Sequence, residues 1–198
     1  MIWFASDHHI NHANIRQYTE RHKYFTDLDE MNEALIANHN SVVTEDDIVY
    51  FVGDFAMGKI VESLPYAARF NGRKILILGN HDRPWPGNKP TQISHWLPEY
   101  EKYFEVKFHD YIEINGQNCE IVHLPVTGDS HDSDRYSQFR PEDRGEWTIH
   151  GHVHSPEIAI APRHLHVGID SDWTQYGVDR YHPIPLAALE AAIGDVHE

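Results

Sequence analysis

This sequence predicts a mixed α/β fold from three observations: short apolar runs that recur along the chain, helical spacing of apolar residues between them, and a hairpin turn in the second half. The first run, Ile2 to Ala5, stops at Ser6-Asp7-His8-His9. Asp27 to Asn38 then carries Leu28, Met31 and Leu35 at helical spacing, with Asp27 and Glu30 placed as a capping box, which predicts a helix. Ile48 to Val52 is a second strand closed by Gly53-Asp54, and Ile75 to Leu78 a third closed by Gly79-Asn80-His81-Asp82. Such continuous runs belong to strands buried on both faces, in a sheet covered by helices. Between them Ile60 to Phe70 predicts a helix interrupted or kinked at Pro65. Tyr111 to Ile114 and Cys119 to Val122 flank Asn115-Gly116, a hairpin signal, and Trp147 to Ile149 follows as another strand. Leu165 to Ile169 closes the strand set, and Leu186 to Ile193 predicts a last helix terminated by Gly194. Two loops stand out, Pro84 to Pro90, rich in Pro and Gly, and the polar segment from Thr127 to Glu146, longer than most loops and so either functional or disordered.

The length of 198 residues suits one domain spanning 1–198, and 40% hydrophobic content is enough for a core. Sixteen Lys and Arg against thirty-one Asp and Glu give a net charge of −15, which disfavours sequence-independent binding of a long nucleic acid. A single cysteine, Cys119, forms no internal disulfide and reads as a small buried hydrophobe; with no apolar run of membrane length, a cytoplasmic protein is expected. The unusual count is histidine, seventeen residues scattered along the chain, many beside Asp or Asn.

Five polar clusters follow five predicted strands: Asp7-His8-His9, Gly53-Asp54, Gly79-Asn80-His81-Asp82, His123 after Val122, and Gly151-His152-Val153-His154. Strand ends that point the same way meet at one sheet edge, where ligands bind. One Asp or His at a strand end is usually a turn or capping residue, but five clusters offering imidazole, carboxylate and amide oxygen together predict a metal site. Nitrogen and oxygen donors without thiolate suit Mn²⁺, Fe, Zn²⁺, Ni²⁺ or Co²⁺.

In this order and spacing, Asp7-x-His9, Gly53-Asp54, Gly79-Asn80-His81-Asp82, His123 and Gly151-His152-x-His154 resemble the motif set of the calcineurin-like metallophosphoesterase superfamily, in particular its small bacterial and phage members. Val167-Gly168-Ile169-Asp170 adds to the likeness, while Ile10-Asn11 departs from the more usual Phe-Gly before His12. The resemblance implies a four-layer α/β/β/α sandwich and two divalent ions, Mn²⁺ foremost. It implies Asp7, His9 and His154 on the first ion, Asp54 bridging, and Asn80, His123 and His152 completing the second. It further implies His81 beside the leaving oxygen, oriented by Asp82, with a metal-bridging hydroxide as nucleophile.

The expected function is hydrolysis of small or cyclic nucleotide diesters such as 2′,3′-cyclic nucleotides, without long nucleic acid or membrane as partner. Phosphomonoester or phosphoprotein hydrolysis is the alternative within the class, and a non-catalytic scaffold the alternative outside it; filled ligand positions and His81 speak against the scaffold. His12, Asn14, Arg83, Arg135 and Arg140 are the candidate substrate contacts, with Tyr136 and Phe139 as base-stacking groups on the long loop. The competing reading of that loop is a solvated run of charge.

Overall fold

The computed structural model describes residues 1–129, 131 and 133–195. In chain order the first half holds β1 (Ile2–Ala5), α1 (Ile15–Tyr18), α2 (Leu28–Val42), β2 (Ile48–Phe51), α3 (Ile60–Ser63), β3 (Arg73–Ile77), α4 (Pro90–Tyr100) and β4 (Glu105–Lys107). The second half holds β5 (His109–Ile114), β6 (Gln117–Val122), β7 (Trp147–His150), β8 (Ala159–Ala161), β9 (His164–His166), β10 (Ile184–Pro185) and α5 (Leu186–Asp195).

Two five-stranded sheets result, ordered β10-β1-β2-β3-β4 and β5-β6-β7-β9-β8. In the first, β1 to β4 run parallel and β10 antiparallel; in the second, β6, β7 and β9 are parallel, with antiparallel β5 and β8 at the edges. The apolar strand runs split by alternation. Trp3, Ala5, Val49, Phe51 and Leu76 pack with Met31, Leu35, Ile60 and Tyr100 from the helices. Phe4, Tyr50, Ile75 and Ile77 face Cys119, Ile121, Ile149 and Leu165 of the other sheet. Helix α5 adds Ala188, Leu189, Ala192 and Ile193 to this inter-sheet core. The fold is thus mixed α/β, built of two sheets and helices, as expected; no described helix is long and apolar enough to cross a membrane.

Most predicted elements appear within a few residues. The Asp27 side chain accepts from Glu30 N at 2.8 Å and starts α2, which runs one turn further than expected. Pro65 ends α-helical geometry as predicted: α3 passes into a 3-10 segment over Leu64–Arg69. Asn115 and Gly116, with φ of 51° and 73°, make the tight turn between β5 and β6. Gly194 lies inside α5 instead of ending it. Helix α4 has no counterpart in the expected elements. Pro90 starts it in the first turn, where a missing N–H costs nothing; Ile93, Trp96, Leu97 and Tyr100 keep helical spacing, but Pro98 inside it reads as a helix breaker.

Register decides where the chemistry falls. Ala5 lies opposite Phe51, Phe51 opposite Leu76, and Ile121 opposite Ile149, so the segments after β1, β2, β3, β6 and β7 leave at one end of the sandwich. The sheets are tied together there. Val52 O accepts both from Ser6 Oγ at 2.6 Å and from His123 Nδ1 at 2.7 Å, and Asp7 Oδ2 accepts from His152 N at 2.9 Å.

Candidate metal centre and active site

Each strand end makes an abrupt turn, and the residues at the turns are the expected ligands. Among the described residues ten non-glycine positions have positive φ, and five of them are Asp7 (60°), His9 (50°), Asp54 (54°), His152 (75°) and His154 (51°). A left-handed backbone is unfavourable for a side chain with a Cβ, and such conformations concentrate where the surrounding structure and function demand them. Asn11 explains the departure from Phe-Gly: with φ of 63° it takes the conformation a glycine would, and its side chain is fixed by Asn32 Nδ2 donating to Asn11 Oδ1 at 2.7 Å.

Two motif glycines let these turns close on one another. A Cβ on Gly79 would lie 2.2 Å from Asp54 Oδ1 and 2.5 Å from Asp54 N, and one on Gly151 would lie 2.0 Å from Ser6 Oγ and 2.5 Å from Asp7 Oδ2. At Gly79 part of the obstruction is backbone, so the clash cannot be relieved by a rotamer change. Gly79→Ala is expected to cost about 1–3 kcal/mol or more by overpacking and to displace Asp54. Thermal melting together with divalent-ion stoichiometry measures both; an unchanged melting temperature and ion count would contradict this close approach.

The converging atoms form two overlapping groups. One atom each from Asp7, His9 and His154 lie within 4.8 Å of one another, and so do atoms from Asp7, Asp54 and His123. Asp7 therefore belongs to both groups. Asp54 Oδ2 stands between them, 3.8 Å from His9 Nε2 and 3.4 Å from His123 Nε2, as a bridging oxygen requires. His9 Nε2 and His154 Nε2 are 3.2 Å apart.

These groups fit divalent cations. The buried atoms Asp7 Oδ1 and Asn80 Oδ1 have no hydrogen-bond partner, an arrangement that is costly in a dry site and resolved when a cation takes the lone pairs. Charge points the same way. Burial lowers the pKa of His9 well below the ordinary histidine value, and lowers that of His152 to about 4, so both rings are neutral and able to ligate. Burial also opposes charge on His123, but the adjacent Asp54 carboxylate outweighs it and raises the pKa.

His81 and Asp82 play different parts. The His81 amide donates to Asp54 Oδ1 at 2.8 Å, while its ring, 41% exposed, holds Nε2 4.0 Å from Asp54 Oδ2. Asp82 differs from the expected orienting partner of that ring. Its buried carboxylate accepts from Gly79 N at 2.8 Å, Asp54 N at 3.0 Å and Phe55 N at 3.3 Å, so it clamps the turn after β3 to the turn after β2.

A cavity of about 550 Å³ opens in front of these groups, lined by His9, His81 and His154 together with His12, Arg135 and Tyr18. The other three candidate substrate residues do not line it. Asn14 is an exposed residue at the start of α1, and Arg83 is half-buried, its amide donating to Tyr100 Oη at 3.3 Å. Arg140 is spent on the loop itself, donating to Asp129, Pro125 O, Gly128 O and Arg135 O. Tyr136 and Phe139 pack on Trp85, with ring centroids 5.1 and 4.6 Å away, instead of waiting as stacking groups. Thus the described part of the long loop is anchored to the turn after β3. His8, next to the first ligand, is buried among Phe51, Phe55 and Phe70.

Three residues at the centre escape the sequence reading. Asp129 meets His152, Asp170 meets His154, and buried Arg21 pairs with Asp170 while donating to the carbonyls of Asp7 and His8. Asp170 ends the Val167-Gly168-Ile169-Asp170 segment already singled out; Asp129 is one acid among many in a polar loop and carries no local signal.

Comparisons with known proteins agree with this geometry. A family model described as calcineurin-like phosphoesterase matches residues 1–156. The gene 66 protein of Mycobacterium phage L5 is 34% identical over 181 residues, 85% of this chain and 86% of that protein. An uncharacterized protein of Methanocaldococcus jannaschii is 31% identical over 191 residues, 93% of this chain and 86% of its own length. A solved protein of unknown function from Aquifex aeolicus shares the fold, with a TM-score of 0.67 at 23% identity over 97% of this chain and 98% of its own. Most of the chain matches one family model, that family uses divalent metals, and Asp and His side chains of this chain gather in groups able to hold them. The chain therefore belongs to the calcineurin-like phosphoesterases, hydrolases of phosphoric ester bonds.

Proposed function

We propose that the protein is a dinuclear metal-dependent phosphodiesterase acting on small nucleotides, cyclic ones such as 2′,3′-cyclic nucleotides included. The observation that supports this reading is the convergence of Asp7, His9, Asp54, His123 and His154 beside one cavity of about 550 Å³. That volume suits a ligand of nucleotide size, and the −15 charge disfavours a long polyanion. Asp7, His9, His154 and Asp54 would hold one ion, and Asp54, Asn80, His123 and His152 the other, Mn²⁺ being the preferred metal. When bound, the pair supplies positive charge to the phosphoryl oxygens and a nucleophile from water near neutral pH.

The chain's own groups do the remaining work. Asn80 offers a neutral amide oxygen, which adds a ligand without adding negative charge near the phosphate. The exposed His81 ring faces the cavity and donates a proton to the departing oxygen. His12 and Arg135 approach the phosphate from the cavity wall.

Loading the protein with Mn²⁺ and offering 2′,3′- and 3′,5′-cyclic nucleotides, dinucleotides and phosphomonoesters tests the reading. Diesters are expected to be hydrolysed with higher kcat/KM than monoesters. Preference for monoesters would assign the site to the phosphomonoesterase alternative.

Ion binding should also depend on pH with a definite sign. His123 has a raised pKa in the metal-free protein and is protonated at pH 7, whereas a ligating Nε2 carries no proton. Roughly one proton is therefore released as this position fills, and affinity strengthens as pH rises. Calorimetric Mn²⁺ titrations in buffers of different ionisation enthalpy count that proton; zero release at pH 7 would mean that His123 is neutral beforehand.

A further inference from the structure

Tyr136 and Phe139, the side chains expected to stack on a base, are committed to Trp85. The cavity nonetheless has an aromatic wall, and another segment supplies it. Ile15, Tyr18 and Met57 line the cavity beside the ligand rings. The segments that carry them leave the first sheet together: Ile10 and Ala56 pair as a parallel extension beyond β1 and β2, and Met57 N donates to Ile10 O at 2.9 Å. Helix α1 is anchored by buried Ile15 and by Arg16, whose Nη2 donates to Phe25 O at 2.7 Å. Tyr18, on the same short helix, is 70% exposed. Single exposed aromatic residues are ordinary on a protein surface, but this one borders the candidate active site. Its ring lies 6.2 Å from that of His12 between centroids, at 68°, and the His12 ring lies 5.3 Å from that of His9. Two ring steps thus lead from the first ligand group to Tyr18, a span that one nucleotide covers from phosphate to base.

We propose that Tyr18, supported by Ile15 and Met57, forms a nucleobase subsite in this cavity and determines specificity for substrates that carry a base. The two ends of a nucleotide need different surroundings, and the cavity lining supplies both. His9, His81, His154 and Arg135 offer imidazole and guanidinium groups to a phosphate, whereas Ile15, Tyr18 and Met57 offer apolar area and an aromatic face. A base stacks on an aromatic ring whatever the pattern of its hydrogen-bonding edge, and a thioether packs readily against a flat ring. The tyrosine ring turns about only two side-chain bonds, so holding it against a ligand costs little conformational entropy. The adjacent Thr19 hydroxyl is already engaged, donating to Ile15 O at 2.8 Å and accepting from Arg21 N at 3.4 Å. This wall therefore selects for a flat aromatic group more than for one particular base.

The inference rests on the nucleotide reading above, and the experiment keeps the two apart. Proton spectra of the Mg²⁺-loaded protein, with the Tyr18 ring signals assigned from Tyr18→Ala, are followed as adenosine 3′-monophosphate is added and then as ribose 3-phosphate is added in its place. The nucleotide is expected to shift the Tyr18 ring signals upfield and the base-free phosphate to leave them in position; this readout needs no turnover. Kinetics on the Mn²⁺-loaded protein compare adenosine 2′,3′-cyclic phosphate with methyl riboside 2,3-cyclic phosphate, which lacks the base. Tyr18→Ala should lower the ratio of their kcat/KM values by about 5–100-fold, the range lost when a stacked aromatic ring is removed, chiefly through a higher KM for the nucleotide. Tyr18→Phe should keep the ratio. An unmoved Tyr18 ring in the presence of the nucleotide, or an unchanged ratio in Tyr18→Ala, would overturn the subsite. If the wild-type protein hydrolyses neither cyclic phosphate, the phosphodiesterase reading fails, and the ring shift alone then decides whether a base lies on Tyr18.

Discussion

Asp54→Asn is expected to lower phosphodiester turnover by orders of magnitude in a protein that still folds. The substitution is close to isosteric, and asparagine accepts the left-handed backbone, φ 54°, that position 54 requires. Its side-chain oxygen can still accept from the His81 amide, which now donates to Asp54 Oδ1 at 2.8 Å. What disappears is Oδ2. That oxygen lies 3.4 Å from His123 Nε2 and 3.8 Å from His9 Nε2, between the two candidate ligand groups, and an NH₂ in its place offers cations no lone pair. Circular dichroism and melting should change little, while kcat/KM on cyclic nucleotides collapses even at saturating Mn²⁺. Near-normal turnover in the metal-replete variant would remove Asp54 from the bridge.

His81→Ala should show a loss that depends on the leaving group. A side chain that protonates the departing oxygen contributes about 10²–10⁴-fold, and an alkoxide leaving from ribose needs that proton whereas nitrophenolate does not. Hydrolysis of cyclic or dinucleotides is thus expected to fall by that range and hydrolysis of bis-nitrophenyl phosphate by much less. The fold should tolerate the change, because the ring is 41% exposed and the contact that organises the turn is made by the His81 amide. Equal losses on both substrates would show that His81 positions phosphate and does not act as an acid.

The two variants divide the site along a line visible in the structure. Asp54 is buried at the junction of two sheets, where the proposed role is to hold ions; His81 lines the cavity, where the proposed role is on substrate. Asp82, the residue after His81, is engaged elsewhere. Its carboxylate is consumed by three backbone amides, and its removal would be felt first as loosened turns at Gly53-Asp54 and Gly79-Asn80.

The sequence by itself determined the fold class and pointed to the Asp and His residues that the fold gathers at one sheet edge. Apolar runs of strand length report burial on both faces, and polar clusters at their ends report one sheet edge; both signals are local and survive without coordinates. The same is true of the helix at Leu28, whose cap and spacing lie within a few residues, and of the Asn115-Gly116 turn. Tertiary structure alone decided which groups stand behind the ligands. Asp129 and Asp170 reach His152 and His154 across 23 and 16 residues, and Arg21 reaches Asp170 across 149. Nothing in their neighbours announces those contacts. It also decided that Arg140, Tyr136 and Phe139 pack within the loop and on Trp85 instead of lining the cavity, because a side chain that looks free in a polar segment is claimed by whichever buried carboxylate or aromatic face the fold brings to it. A strand end is specified by its own residues, whereas an outer hydrogen bond is specified by the meeting of two segments, and only packing brings those segments together.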